Sequence, residues 1–199
     1  GASGNTSFGT KKKLLGLLLA VFMVLTLAPT TAWADVATEK WTDFAAPDFA
    51  GGSGTKDDPY QIATAGQLAK LAEEVNSGVY GKTHDGEYFK LTAPIDLSGK
   101  RWIPIGYGNA SSHSFSGYFD GNNQTITGLY VDERGNNVYA GLFGVVVAIS
   151  DEPVLKNIRI ENAAIYAGDS TNSSTHTYGA GVLAGNLTTM GGSSATFIG

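Results

Sequence analysis

Breaking a glycosidic bond by hydrolysis takes two carboxyl groups facing one sugar-sized gap. A calcium-dependent elimination takes clustered acids and a base to remove a proton. The acids that could serve in the Gly-rich part of this chain are Asp96, Asp120, Asp132-Glu133 and Asp151-Glu152. No spacing among them sets two on one face. Asp120 stands at a turn, where Asp bonds to nearby backbone N–H groups. Asp132-Glu133-Arg134 and Asp151-Glu152 read as solvated loop charge. His84, His113 and His176 are scattered through predicted loops, and no His-Glu-x-x-His stretch occurs, so no zinc peptidase site is encoded here. No Gly-x-Ser-x-Gly elbow is present, and no phosphate-cradling glycine motif precedes a helix. No catalytic residue, metal ligand or cofactor follows from these patterns.

Tyrosine is the better candidate. An exposed Tyr offers a flat apolar face with a hydroxyl, suited to stacking on sugar rings or on a partner protein. Tyr107, Tyr118, Tyr130, Tyr139, Tyr166 and Tyr178 fall in or beside predicted strands. Tyr118, Tyr130, Tyr139, Tyr166 and Tyr178 form the candidate binding surface, with glycans or host surface proteins as the expected partners. Half-burial in a strand is the alternative role for each. The polar run Asp169–Thr175 reads as a loop standing out from the scaffold.

The elements that position these residues are short. Thr64 as N-cap with Gln67 three residues on predicts a capping box. Leu68, Leu71, Ala72 and Val75 then recur at helical spacing, and Asn76-Ser77-Gly78 ends the helix, giving a span of about 64–77. Beyond it the period falls to two: Phe89 and Leu91, Ile95 and Leu97, Phe115 and Phe119, with Ile126, Leu129 and Val131 following. Gly141-Leu142-Phe143-Gly144 is echoed by Val182-Leu183-Ala184-Gly185, so Gly185 follows Gly144 by 41 residues. Self-similarity on that scale in short strands means stacked units. Ile158 and Ile160 would then point inward on their counterparts, and the single helix would cap the open end. A β-sandwich is the alternative fold.

Lys11-Lys12-Lys13, the apolar run Leu14–Ala28, the break at Pro29 and the small residues of Ala32-Trp33-Ala34 follow the order of a secretory leader. Residues 1–34 are read as a signal peptide cut between Ala34 and Asp35. Residues 35–53, without periodicity, are read as a linker, and 54–199 as the folded part. The apolar run is shorter than the roughly 20 residues a bilayer crossing needs, and no second span follows. With no cysteine in the chain, disulfides and thiolate metal sites are excluded. Losing the three leader lysines takes the net charge from −5 to −8, which argues against nucleic acid as a partner. The start at Gly1 and the apolar ending Ala195–Gly199 suggest a fragment of a longer protein.

An ordered set of motifs carries a resemblance. It runs from Gly54-Thr55 and Asp58-Pro59-Tyr60-Gln61-Ile62 through the Thr64 helix, Ile95-Asp96-Leu97-Ser98 and Trp102-Ile103-Pro104-Ile105-Gly106. It continues with Phe115-Ser116-Gly117-Tyr118-Phe119-Asp120-Gly121-Asn122-Asn123-Gln124-Thr125-Ile126-Thr127-Gly128-Leu129 and Gly141-Leu142-Phe143-Gly144. The whole, about residues 54–199, resembles the N-terminal region of bacterial surface proteins with GLUG repeats. Asn123-Gln124, where that family more often has Gly-His, and the loose copy at 181–185 depart from its pattern. The resemblance implies a pectin-lyase-like right-handed parallel β-helix serving as a stalk or adhesive module, in some proteins upstream of an immunoglobulin-A-cleaving zinc peptidase domain.

The combined reading is an all-β, right-handed parallel β-helix with one short N-terminal capping helix. It belongs to a secreted or surface protein and presents loops to glycans or proteins without catalysis. The alternatives place a polysaccharide lyase or glycoside hydrolase active site, or a surface zinc peptidase, beyond Gly199.

Overall fold

Where apolar and polar residues alternate, the chain forms strands, and where the apolar spacing is helical it forms one α-helix. The computed structural model describes residues 38–79, 81–108, 113–134, 136, 138–168, 180–189 and 197–198. The chain divides into a unit Gly1–Asp35 and a unit Val36–Gly199, and every described residue belongs to the second. The predicted leader, including Ala34 and Asp35, lies outside the described residues, as does Tyr178.

A 3-10 turn at Trp41–Phe44 comes first, then β1 (Tyr60–Ile62) and α1 (Ala65–Asn76). Twelve strands lie among the described residues, most of them two to five residues long. The others are β2 (Tyr88–Leu91), β3 (Ile95–Asp96), β4 (Tyr118–Asp120), β5 (Thr125–Thr127), β6 (Tyr130–Arg134) and β7 (Phe143–Ala148). β8 (Leu155–Lys156), β9 (Arg159–Glu161), β10 (Ala164–Gly168), β11 (Ala184–Thr189) and β12 (Phe197–Ile198) complete the order.

These strands make four small sheets, ordered β1-β2-β4-β8-β12, β3-β5-β9, β6-β10 and β7-β11. All the named pairings are parallel. The fold is therefore all-β with one helix, and a sandwich of antiparallel hairpins does not describe it. Register lines up like with like. Tyr60, Phe89, Phe119 and Leu155 are successive partners in the first sheet, and Ile95, Ile126 and Ile160 in the second. Val131 pairs with Ile165, and Val146 with Leu187. Phe143 pairs with Ala184 and Val145 with Asn186, which brackets the echoed Gly144 and Gly185 at their 41-residue spacing.

The inward residues of every sheet join one core with Trp102, Ile105, Phe115, Leu129 and Leu142. Burying each such side chain is worth about 1.5–3 kcal/mol, and the core is the main favourable term here. The segment Trp102–Ile105 carries no ladder of its own. It is placed by the Trp102 N–H on the Tyr130 carbonyl (2.7 Å) and by single parallel bridges at Arg101 and Ile105. Gly106 has φ +86°, and a Cβ there would lie 2.3 Å from the Val145 carbonyl oxygen, so only glycine fits.

Helix α1 forms where the spacing predicts it, with Leu68, Ala69, Leu71, Ala72 and Val75 fully buried. Thr64 Oγ1 accepts the Gln67 N–H (3.2 Å), but the Gln67 side chain reaches back to the Ala63 N–H (2.8 Å), one residue before the cap. Its last residue, Asn76, ties it to the 104–107 segment. Asn76 donates to the Pro104 carbonyl (2.9 Å) and accepts from the Gly106 and Tyr107 N–H groups.

Residues 38–53, which lack periodicity and read as a linker, are held tightly. The Trp41 indole donates to the Leu97 carbonyl (2.8 Å), Trp41 and Arg101 exchange backbone bonds with the neighbouring segment, and Gly51 pairs antiparallel with Gln61. This last contact covers the outer edge of β1, which would otherwise be open to pairing. Lys100 lies 4.0 Å over the Phe44 ring and forms an ion pair with Glu39. No helix among the described residues is long and apolar enough to cross a membrane.

Candidate functional site

In a parallel, in-register pair, residues facing outward stack on residues facing outward. On β2 and β4 the buried partners are Phe89 and Phe119, so Tyr88 and Tyr118 before them turn to the other face of the sheet, with Tyr118 partly buried and still touching the core. Their rings stack at 4.4 Å between centroids with an interplanar angle of 19°. The next outward positions, Lys90 and Asp120, are also register partners, and Lys156 follows Asp120 on β8.

These side chains line a groove of about 290 Å³ with Lys56, Asp57, Pro59, Glu152 and Pro153. That size is near the lower end of the range for small-molecule sites, roughly 300–1,000 Å³. The lining joins two tyrosines, two phenylalanines and two prolines to three lysines and three acids. The Lys56 ammonium pairs with Glu152 (3.0 Å) and sits 5.9 Å from the Tyr88 ring centre. Tyr88 donates its hydroxyl to Glu152 (3.0 Å), and the Tyr118 hydroxyl lies 2.6 Å from Ser150 Oγ. Lys156 approaches Asp120 at 3.7 Å, while Asp120 accepts from the Asn122 N–H (2.7 Å) and the Asn157 amide (3.0 Å).

The electrostatics follow from these contacts. Burial first, then the hydrogen bond and charge of Glu152, push the Tyr88 phenol up to about 12. Burial pulls the Glu152 carboxyl upward, but hydrogen bonds from Lys56 and Tyr88 outweigh it and hold that group below its usual range. Tyr88 therefore stays a neutral donor and Glu152 a charged acceptor across the ordinary pH range.

A second aromatic pair sits on another sheet. Tyr130 and Tyr166 meet edge to face at 6.0 Å, and the Arg134 guanidinium lies 5.0 Å over the Tyr166 ring. Asp132 binds that guanidinium through both oxygens (2.8 and 2.6 Å), which holds the Asp132 carboxyl down at about 2. Of the five predicted tyrosines, the structure thus puts Tyr118 in the groove and brings Tyr130 and Tyr166 together elsewhere. Tyr139 lies half-buried ahead of β7.

Two expectations are corrected. Asp132-Glu133-Arg134 is not a solvated loop: it belongs to β6, and its period of two sends Glu133 inward with Val131, fully buried. Tyr107 (3.1 Å) and Asn136 (2.9 Å) donate to one oxygen of that carboxylate. Glu152 is likewise part of the groove and not free charge. The sequence reading missed Tyr88, although Tyr88-Phe89 and Tyr118-Phe119, 30 residues apart, were the available signal.

His84 is buried between Glu87, bonded to Nδ1, and Glu74, 3.3 Å from Nε2, with Lys70 and Lys82 also on Glu74. The two carboxylates lie against opposite ring nitrogens, and only the one on Nδ1, from Glu87, is hydrogen-bonded to the imidazole. Among the described residues no three His, Asp or Glu side chains are grouped to hold a metal ion.

No family model matches the chain, and no solved structure matches it. Curated relatives do. A protein of Evansella cellulosilytica, provisionally named a Gly-rich membrane protein, is 38% identical over 98 residues, 49% of this chain and 11% of that protein. Halomucin of Haloquadratum walsbyi is 32% identical over 127 residues, 59% of this chain and 1% of its own length. The matches thus span a small part of each of these long relatives.

Proposed function

We propose that this chain is the capped N-terminal end of a right-handed parallel β-helix, acting as a non-catalytic scaffold or adhesion module of a secreted or surface protein. The observation that carries the reading is the register. The first sheet takes one short strand from each successive stretch of the chain, at spacings from 29 residues (Tyr60 to Phe89) to 42 (Leu155 to Phe197), always in parallel. A chain that returns to the same sheet in the same direction is winding, and inward Phe, Ile and Val at each return supply the stacked core. The resemblance to GLUG-repeat surface proteins supports the same reading. So do the long relatives named for a membrane and a mucin, in which the matched part is a small module.

On this reading α1 caps the first turn, and the outward residues are free for contact with glycans or surface proteins. The test is to apply the purified chain to immobilised polysaccharides and extracellular-matrix proteins, scoring retention and cleavage products together. Retention without cleavage is expected. Released sugar fragments would overturn the non-catalytic assignment, and a far-UV circular dichroism spectrum dominated by helix would overturn the fold.

A further inference from the structure

We propose that the Tyr88–Tyr118 groove is a site for uncharged, hydroxyl-rich glycans. The inference deepens the adhesive reading above and rests on it. Shape and chemistry point the same way. A sugar ring has an apolar C–H face and a rim of hydroxyls, and the groove lining combines apolar side chains (Tyr88, Tyr118, Pro59, Pro153) with charged ones. Beside the tyrosine stack a polar row alternates donors and acceptors, Lys90, Asp120 and Lys156, one residue per strand. A line of hydroxyls can bridge such a row without any net charge.

Charge decides against the other classes. Three lysines and three acids line the groove and balance in charge, and two of the cations are drawn onto carboxylates, Lys56 onto Glu152 and Lys156 beside Asp120. A carboxylated or sulfated polymer would have to displace these pairs. It would also approach a chain whose formal charge is −5 even with the three leader lysines counted. A cationic peptide would meet the lysines. Neither polyion gains what an uncharged ligand keeps. The tyrosine hydroxyls are fixed on Glu152 and Ser150, so the rings are held in place before a ligand arrives, which lowers the ordering cost of binding.

The test uses the purified chain on an array of neutral oligosaccharides derived from cellulose, xylan and chitin, beside oligogalacturonate and heparin. Retention on one neutral class is expected, unchanged between low and high sodium chloride, because no ion pair forms. Tyr118→Ala is expected to weaken it about tenfold, the worth of one lost aromatic face. Tyr118→Phe should keep binding within about twofold, since the ring remains. Phe44→Ala, an exposed aromatic outside the groove, should leave it unchanged. Preferential, salt-sensitive retention on oligogalacturonate or heparin overturns the ligand class. Undiminished neutral binding in a folded Tyr118→Ala chain overturns the site while the adhesive reading stands. No retention of any glycan by the unaltered chain overturns the proposal, and the fold assignment is then judged by its spectroscopy alone.

Discussion

Trp102 is the largest fully buried side chain and joins the segment without a ladder to the rest of the core. Its indole N–H donates to the Leu142 carbonyl at 2.9 Å, and the Ile105 N–H donates to the same carbonyl at 3.0 Å. This double acceptance separates two costs. Trp102→Phe removes one hydrogen bond without orphaning the carbonyl, a loss of about 0.5–1.5 kcal/mol. The smaller ring adds a partial cavity, so about 1–3 kcal/mol in all is expected. Trp102→Ala empties the site, and large aromatic truncations of this kind cost about 3–5 kcal/mol. For a chain of this size each kcal/mol moves the melting temperature by about 2–4 °C, so the alanine variant should melt about 6–20 °C lower. Urea titration followed by far-UV circular dichroism gives both numbers without relying on the lost fluorophore. A loss under about 1 kcal/mol for Trp102→Ala would show that the core is not closed around this residue. A phenylalanine variant as damaging as the alanine one would mean the hydrogen bond dominates, and that the double acceptance at Leu142 was misread.

Three further expectations test separate features. Gly99 and Gly106 both have φ +86°, but a Cβ at Gly99 meets nothing within 4 Å while one at Gly106 strikes the Val145 carbonyl. Gly99→Ala should therefore cost only the left-handed strain, about 1–2 kcal/mol, and Gly106→Ala about 1–3 kcal/mol more through forced backbone movement. Equal losses in a urea titration would contradict the close approach. Thr64→Ala should lose about 1 kcal/mol of stability through its cap, with Thr64→Ser restoring most of it. A neutral result would mean that the Gln67 side chain alone holds the helix start. In acid, Asp132 has a folded pKa of about 2, below its usual 3.8, mainly through the Arg134 hydrogen bond. Its contribution is present above pH 4 and is lost as the pH falls from about 4 to 2. Because Arg134 is largely exposed, screening holds the effect to about 1 kcal/mol. Asp132→Asn should flatten stability across that window, and an unchanged acid limb would refute the assignment.

Local rules made part of this structure legible. Helix α1 was readable because Leu68, Leu71, Ala72 and Val75 repeat within a dozen residues and Thr64 announces the start. The pairing of β7 with β11 was readable because glycine motifs mark both copies. The earlier pairings lack such markers. Phe89 and Phe119 sit in register 30 residues apart, yet their flanks share little beyond the preceding tyrosine. Residues 38–53 carry no period, since single bonds to Leu97, Arg101 and Gln61 hold them, and isolated bonds leave no pattern. Glu133 was misjudged for a different reason: the alternation that sends it inward with Val131 is local, but its charge reads as exposed until the Tyr107 hydroxyl, 26 residues earlier, is brought onto it.

The groove shares its cause with the core. In a parallel stack the inward and outward residues of a strand are fixed together, because a slip of one residue exchanges the two faces. Sliding β4 by one position against β2 would expose Phe119, which is 1% exposed, and bury a tyrosine hydroxyl now bonded to Ser150. The lost burial alone is about 1.5–3 kcal/mol, before the buried hydroxyl's missing partner is counted. The Phe89–Phe119 contact therefore specifies the Tyr88–Tyr118 stack more firmly than the tyrosines specify themselves. It follows that outward residues can change in chemistry without loss of position, so long as the inward residue beside each is kept. A stacked fold of this kind can carry different surface sites on one core, and the residue that defends a site's geometry is its inward neighbour.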